Sequence, residues 1–211
     1  MQLSFLKQQV QDLLIFDKQA LRSFEPNEFN LNKNISYWLE IGELIQLKKG
    51  LYCLRDTWLA EPDKDLFLEY IANQLLLPSY VSVEYVMAKH QLLSEPVQVV
   101  TSMTTQTTRE MSNDLASFKF FSLKSELFIG YETRDFRSAT VRQASKAKAV
   151  FDYLYLRFLK TMDPEPEAIK ALRINWENLT QAEYTEMVSF LSLANSQRLD
   201  QTLAVIKDLY Y

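Results

Sequence analysis

Residues 30–54, NLNKNISYWLEIGELIQLKKGLYCL, decide the predicted fold of the N-terminal part of the chain. Their first half has apolar residues three and four positions apart, which indicates a helix with one buried side from about Asn30 to Ile41. Their second half has two short apolar runs, 44–47 and 51–54, joined by Lys48-Lys49-Gly50, a pattern typical of a β-hairpin. The stretch therefore predicts a helix followed by a hairpin with a basic tip.

Two shorter helices are predicted before this stretch. Residues 5–14 carry apolar side chains at helical spacing, and Asp17 is a good N-cap for a second helix that ends at Glu25-Pro26. Three small helices and a hairpin follow the order of a winged helix-turn-helix, in which the third helix enters the DNA major groove and the hairpin touches phosphate. We therefore predict a winged helix-turn-helix DNA-binding domain over residues 1–60.

The solvent side of the predicted third helix supplies candidate DNA contacts. Amides can read adenine and lysine pairs with guanine or phosphate, whereas a solvated helix face is the alternative interpretation. The two lysines at the hairpin tip could neutralise phosphates or could keep a sheet edge soluble. The candidate DNA-binding residues are Asn32, Lys33, Ser36, Tyr37, Lys48 and Lys49.

Residues 61–211 are predicted to form a second domain that mixes helices and strands. Apolar and aromatic runs at 97–101, 117–121 and 127–131 predict a small antiparallel sheet. The predicted helices cover residues 65–77, 82–90, about 143–160, a short stretch after Pro166, and 180–210. The predicted fold class is therefore α+β.

The composition excludes several kinds of chemistry. Three glycines, one cysteine and one histidine among 211 residues do not supply a glycine-rich phosphate loop, an internal disulfide or a zinc site. His90 is interpreted as a residue at the end of a helix rather than as a catalytic base. We expect no catalytic residues, no metal and no cofactor, and hence no enzyme.

Location and partners follow from the distribution of apolar and charged residues. No apolar run is long enough to span a bilayer, and Met1-Gln2-Leu3-Ser4 lacks the layout of a signal peptide, so a cytoplasmic protein without a membrane partner is expected. The net charge of −4 is unlike that of a protein that is basic overall. Binding of double-stranded DNA therefore requires locally basic regions.

The strongest local charge bias lies between residues 134 and 148, where Asp135 is the one acid. This bias predicts a surface for nucleic acid or a partner, with a solvated loop as an equal alternative. The basic residues of this possible nucleic-acid or partner surface are Arg134, Arg137, Arg142, Lys146 and Lys148.

Residues 78–93, PSYVSVEYVMAKHQLL, resemble the central signature of AbiEi-type antitoxins. That signature is a proline-serine-tyrosine-aliphatic-serine start followed by a helix that ends in a histidine and an aliphatic pair. Residues 44–52 are similar to the family's wing, and 128–131 and 144–152 align with its sheet strand and later helix. The resemblance covers nearly the whole chain in order, although the family usually has proline and glutamate at positions 146 and 147.

The resemblance implies an antitoxin of a type IV, abortive-infection toxin-antitoxin system. Such a protein represses its own operon by binding promoter repeats through an N-terminal winged helix. It also counteracts a nucleotidyltransferase-like toxin, and a stable complex with the toxin is not required. Two other hypotheses stay open from the residues alone: a protein-interaction regulator whose degenerate winged helix does not bind DNA, and an enzyme that acts on RNA.

Overall fold

The computed structural model describes residues 1–159 and 162–211, and its fold is of the α+β class. The chain divides into two compact units. Unit 1 comprises Met1–Ile71 and Ser112–Ala116, and unit 2 comprises Ala72–Met111 and Ser117–Tyr211. Across the described ranges, no helix combines the length and the apolar character needed to cross a lipid bilayer.

Unit 1 contains short helices and a three-stranded antiparallel sheet in the order β1-β3-β2. The predicted hairpin and the three helices before it are present, but the first helix is shorter than expected and β1 was not predicted. The elements are α1 (Leu3–Val10), β1 (Phe16–Asp17), α2 (Lys18–Arg22), α3 (Glu28–Glu40), β2 (Leu44–Lys48), β3 (Leu51–Leu54), α4 (Arg55–Ala60) and α5 (Lys64–Leu75), which ends in unit 2.

Side-chain caps and a shared core hold the helices of unit 1. The Asp17 carboxylate accepts a hydrogen bond from the Ala20 N–H at 2.7 Å and so begins α2. The Asn27 side chain accepts from the Asn30 N–H at 3.1 Å and begins α3 two residues earlier than expected. The buried core consists of Leu6, Val10, Phe16, Leu21, Leu31, Ile35, Trp38, Leu44, Tyr52 and Leu54.

Unit 2 is built on a six-stranded mixed sheet in the order β6-β7-β5-β4-β9-β8. The pairs β4–β9 and β5–β7 are parallel, whereas β4–β5 and β8–β9 are antiparallel. The elements are β4 (Ser79–Val81), α6 (Val83–Lys89), β5 (Val100–Thr104), β6 (Arg109–Ser112), β7 (Ser117–Ser122), β8 (Tyr131–Phe136), β9 (Ala139–Ala144), α7 (Lys146–Phe158), α8 (Pro166–Ala171), α9 (Gln181–Ser189), α10 (Leu191–Ala194) and α11 (Gln197–Tyr210).

The small antiparallel sheet expected in residues 61–211 is wrong in both size and strand direction. Residues 125–127 form a 3₁₀ turn, and Gly130 adopts a φ of +73°, so the strand expected at 127–131 is absent there. β4 has only three residues, all buried, and therefore gives no alternating pattern. The helix expected over 143–160 begins at Lys146, because the preceding residues finish β9, and Lys160 lies outside the described residues.

Candidate nucleic-acid interface

α3 separates an apolar side from a polar side, and the polar side carries the candidate contacts. Leu31, Ile35 and Trp38 are at most 5% exposed and face the core of unit 1. Because residues three and four apart share a helix face, most of the residues between them point to solvent. The exposed side carries the predicted residues Asn32, Lys33, Ser36 and Tyr37.

The acid at the start of α3 is neutralised by cations from α2. Glu28 accepts a hydrogen bond from Arg22 Nε at 3.1 Å and another from the Lys18 ammonium. These two bonds lower the pKa of Glu28 to about 2, so its carboxylate stays ionised. The negative charge of Glu28 in the first turn of α3 is therefore neutralised by two basic side chains, those of Lys18 and Arg22.

The turn between β2 and β3 is held against the start of α2. The Lys18 N–H donates to the Gly50 carbonyl at 2.9 Å, and Gly50 has a φ of +80°, which glycine adopts without strain. Lys48 and Lys49 are both exposed beside this glycine, as predicted for a basic tip. Partial burial lowers the pKa of the Lys48 ammonium.

The segment Ser112–Ala116, between β6 and β7, brings an acid to the same two lysines. The Asn113 side chain donates to the Leu47 carbonyl of β2 at 3.2 Å. A cleft of about 450 Å³ lies between this segment and the hairpin, and Lys48, Lys49 and Asp114 line it together. A carboxylate that local sequence patterns did not indicate therefore shares a cleft with the two lysines of the hairpin tip.

The five basic residues predicted as a second surface do not form one. Arg134 and Arg137 are exposed on β8 and in the β8–β9 turn. Arg134 is paired with Val141 in the ladder, so Arg142, the next residue on β9, points to the opposite face. Lys146 forms an ion pair with Glu183 at 2.8 Å and donates to the Asn178 carbonyl at 2.7 Å, so its ammonium is held by its own unit.

The assignment of Lys148 to this surface is wrong. Its side chain is fully buried, and its ammonium forms an ion pair with Asp152, four residues later on α7. Asp152 Oδ2 also accepts hydrogen bonds from the Tyr80 hydroxyl at 2.9 Å and the Ser82 hydroxyl at 2.7 Å. These four side chains form the buried cluster that joins the 78–93 segment to α7.

Aromatic rings complete the surroundings of the Lys148 ammonium. Its Nζ lies 5.7 Å from the ring centre of Tyr80, 5.2 Å from that of Phe151 and 5.4 Å from that of Phe190. Such rings attract a cation through their negative faces. A Cβ on Gly130 would stand 2.8 Å from Phe190 Cζ and 3.0 Å from Lys148 Cδ, so only glycine fits beside this cluster.

The buried cluster is structural in this conformation. Tyr80, Ser82, Lys148 and Asp152 are each 0% exposed, so a substrate does not reach their polar atoms. Burial raises the pKa of Asp152, while the Lys148 charge and the bonds from Ser82 and Tyr80 act in the opposite direction. The signal that sequence reasoning missed is the four-residue spacing of Lys148 and Asp152, which places both on one face of a helix.

The one histidine, His90, lies at the end of a helix and near basic side chains. His90 is the C-cap residue of α6, and burial lowers its pKa, with further lowering by the charges of Lys146 and Arg134. In the part of the chain that the structure describes, no group of three or more His, Cys, Asp or Glu side chains could hold a metal ion.

Comparisons with protein-family models and with curated protein sequences give no match to this chain.

Asp152→Asn should destabilise the protein by about 3–5 kcal/mol, because it leaves the buried Lys148 ammonium without a counter-ion. Urea unfolding followed by circular dichroism measures this loss. Lys146→Met on the same helix is the matched control, since its partly exposed ion pair should contribute only about 0–1 kcal/mol. Equal losses in the two variants would contradict the structural role of the buried cluster.

Proposed function

We propose that unit 1 is a winged helix-turn-helix that binds duplex DNA. The observation that carries this proposal is the element order α1-β1-α2-α3-β2-β3 together with the sheet order β1-β3-β2. In a winged helix the third helix is the one that enters the major groove, and the hairpin that follows it touches the backbone. Here that helix has a polar exposed side, and that hairpin ends in two exposed lysines.

The proposed contacts divide between base edges and phosphates. Asn32 and Lys33 on α3 carry an amide and an ammonium that can read bases in the major groove, and Ser36 and Tyr37 extend the polar side by one turn. Lys48 and Lys49 would neutralise phosphates and release counter-ions, which makes the affinity depend on salt.

The charge of unit 1 limits how strong such binding can be. Acidic side chains are as numerous as basic ones over residues 1–60, so attraction by overall charge is weak. Neutralisation of Glu28 by Arg22 and Lys18 removes one source of repulsion close to α3. Specific binding would therefore rely on a few well-placed groups rather than on a broad basic surface.

Fluorescence anisotropy of the full chain, titrated with the duplex found upstream of its own reading frame, tests the proposal. Affinity should fall steeply between about 50 and 200 mM salt. Lys48→Ala and Lys49→Ala should each reduce the slope of log affinity against log salt by about one. Lys170→Ala, which removes an exposed lysine of α8, serves as the control and should leave the slope unchanged.

The absence of any binding at low salt would overturn the DNA proposal. That result would favour a protein-interaction regulator, for which the exposed Phe29 and Tyr37 side chains on α3 would be the contact surface.

Asp114→Asn should raise the affinity for the same duplex by about two- to fivefold, because it removes a carboxylate that competes with phosphate for Lys48 and Lys49. Asp208→Asn, an equal charge change at an exposed position of α11, is the matched control. An equal gain in both variants would mean that total charge, and not the cleft beside the hairpin, sets the affinity.

We further propose that the protein acts as an autoregulating antitoxin, with unit 2 opposing a nucleotidyltransferase-like toxin. The support for this step is the resemblance of residues 78–93 and 144–152 to AbiEi-type antitoxins. Four residues of these two segments, Tyr80, Ser82, Lys148 and Asp152, meet in one buried cluster. The resembling segments are thus part of one packed core, as a shared fold would require.

Co-expression with the protein encoded next to it in the genome tests the antitoxin proposal. The full chain should restore growth of cells that express the neighbouring toxin. The double variant Lys48→Ala, Lys49→Ala should still restore growth but should lose repression of a promoter reporter. Failure of the full chain to protect would contradict the antitoxin role, whatever the outcome for DNA binding.

A further inference from the structure

Phe29 is the most exposed large hydrophobic side chain in the described residues. It is 76% exposed, although it is the second residue of a helix whose other side is packed into the core. Its position in the helix places Phe29 on the polar side, opposite the buried Leu31, Ile35 and Trp38 side chains.

Phe29 shares this side of α3 with the candidate base-reading residues. Positions three and four later on a helix are its surface neighbours, which places Asn32 and Lys33 beside it. Tyr37, two turns further along, is 56% exposed on the same side. The N-terminal half of the exposed side thus combines one apolar ring, one amide and one ammonium.

The apolar ring and the amide are complementary to the groups that an A·T pair presents in the major groove. An apolar side chain recognises the C5-methyl group of thymine, and an asparagine amide pairs with N6 and N7 of adenine. Side chains three positions apart on a helix are roughly 5–6 Å apart, while successive bases on a strand are about 3.4 Å apart. Phe29 and Asn32 can therefore reach the same or neighbouring base pairs.

The position of Phe29 in α3 also suits contact with bases. In helix-turn-helix proteins the N-terminal residues of the recognition helix contact base edges. Glu28 precedes Phe29, and its carboxylate is neutralised by Arg22 and Lys18. Lys33 is the single cation of α3, which contains no arginine for the reading of guanine.

We propose that Phe29 packs on a thymine methyl group and Asn32 bonds to an adenine, so that the protein selects A·T pairs at the centre of each α3 contact. This inference rests on the proposed DNA binding and adds its sequence preference. The exposed Phe29 side chain then contacts the edge of a base pair and not a second protein.

Selection from a randomised duplex library with the full chain is the first step of the test. The enriched duplex should contain A·T pairs at its most constrained positions. Each thymine of that duplex is then replaced in turn by deoxyuridine, which removes only the methyl group. At the contacted thymine this change should weaken binding about three- to fivefold, as expected for one buried carbon group.

A double-mutant cycle assigns that loss to Phe29. Phe29→Ala should weaken binding of the thymine duplex about three- to tenfold. In this variant, replacement of the contacted thymine by deoxyuridine should cause no further loss of affinity. Leu59→Ala removes another exposed apolar side chain of unit 1, on α4 and 65% exposed, and should change neither affinity. Because both side chains are exposed, thermal unfolding should be unchanged in both variants.

The possible results distinguish a failure of the thymine contact from a failure of DNA binding. Recovery of a specific duplex whose affinity responds neither to deoxyuridine nor to Phe29→Ala would overturn the thymine contact and leave DNA binding intact. A loss in Phe29→Ala that is the same for both duplexes would also overturn it, since the ring would then act elsewhere. Recovery of no duplex at all would contradict DNA binding itself.

Discussion

Burial of Leu31, Ile35 and Trp38 fixes the orientation of α3, and the rest of unit 1 follows from it. Each of these side chains contributes about 1.5–3 kcal/mol when it leaves water, so rotation of the helix about its axis is strongly disfavoured. Asn32, Lys33, Ser36 and Tyr37 must then face solvent. The same packing that holds the core of unit 1 together therefore determines which polar groups of α3 are offered to a partner.

Unit 2 depends on a different interaction, the ion pair of Lys148 and Asp152. A buried pair of this kind is stabilising only when its remaining hydrogen-bonding groups are satisfied, and Tyr80 and Ser82 supply two hydroxyls to the carboxylate. These hydroxyls lie about seventy residues away in the chain, on β4 and just before α6. The interaction thus links β4, an inner strand of the six-stranded sheet, to α7.

Local signals in the sequence were sufficient for the three helices and the hairpin of unit 1, although not for β1, and insufficient for the sheet of unit 2. The spacing of apolar residues in α3 and the Lys48-Lys49-Gly50 turn act over a few residues, so both were predicted from the sequence. The parallel pairing of β4 with β9 joins segments far apart in the chain, which no local pattern encodes. Charge counting placed Lys148 on a surface, because a sequence shows charge but not burial, and Asp114 approaches the hairpin through the equally remote contact of Asn113.

Lysine acetylation footprinting with mass spectrometry tests whether α3 and the β2–β3 turn together contact duplex DNA. The full chain is acetylated with and without its upstream duplex. We expect DNA to protect Lys33, Lys48 and Lys49 from acetylation, while the exposed Lys170 and Lys207 react as before. Unchanged reactivity at the first three lysines under conditions where the duplex is bound would contradict this contact.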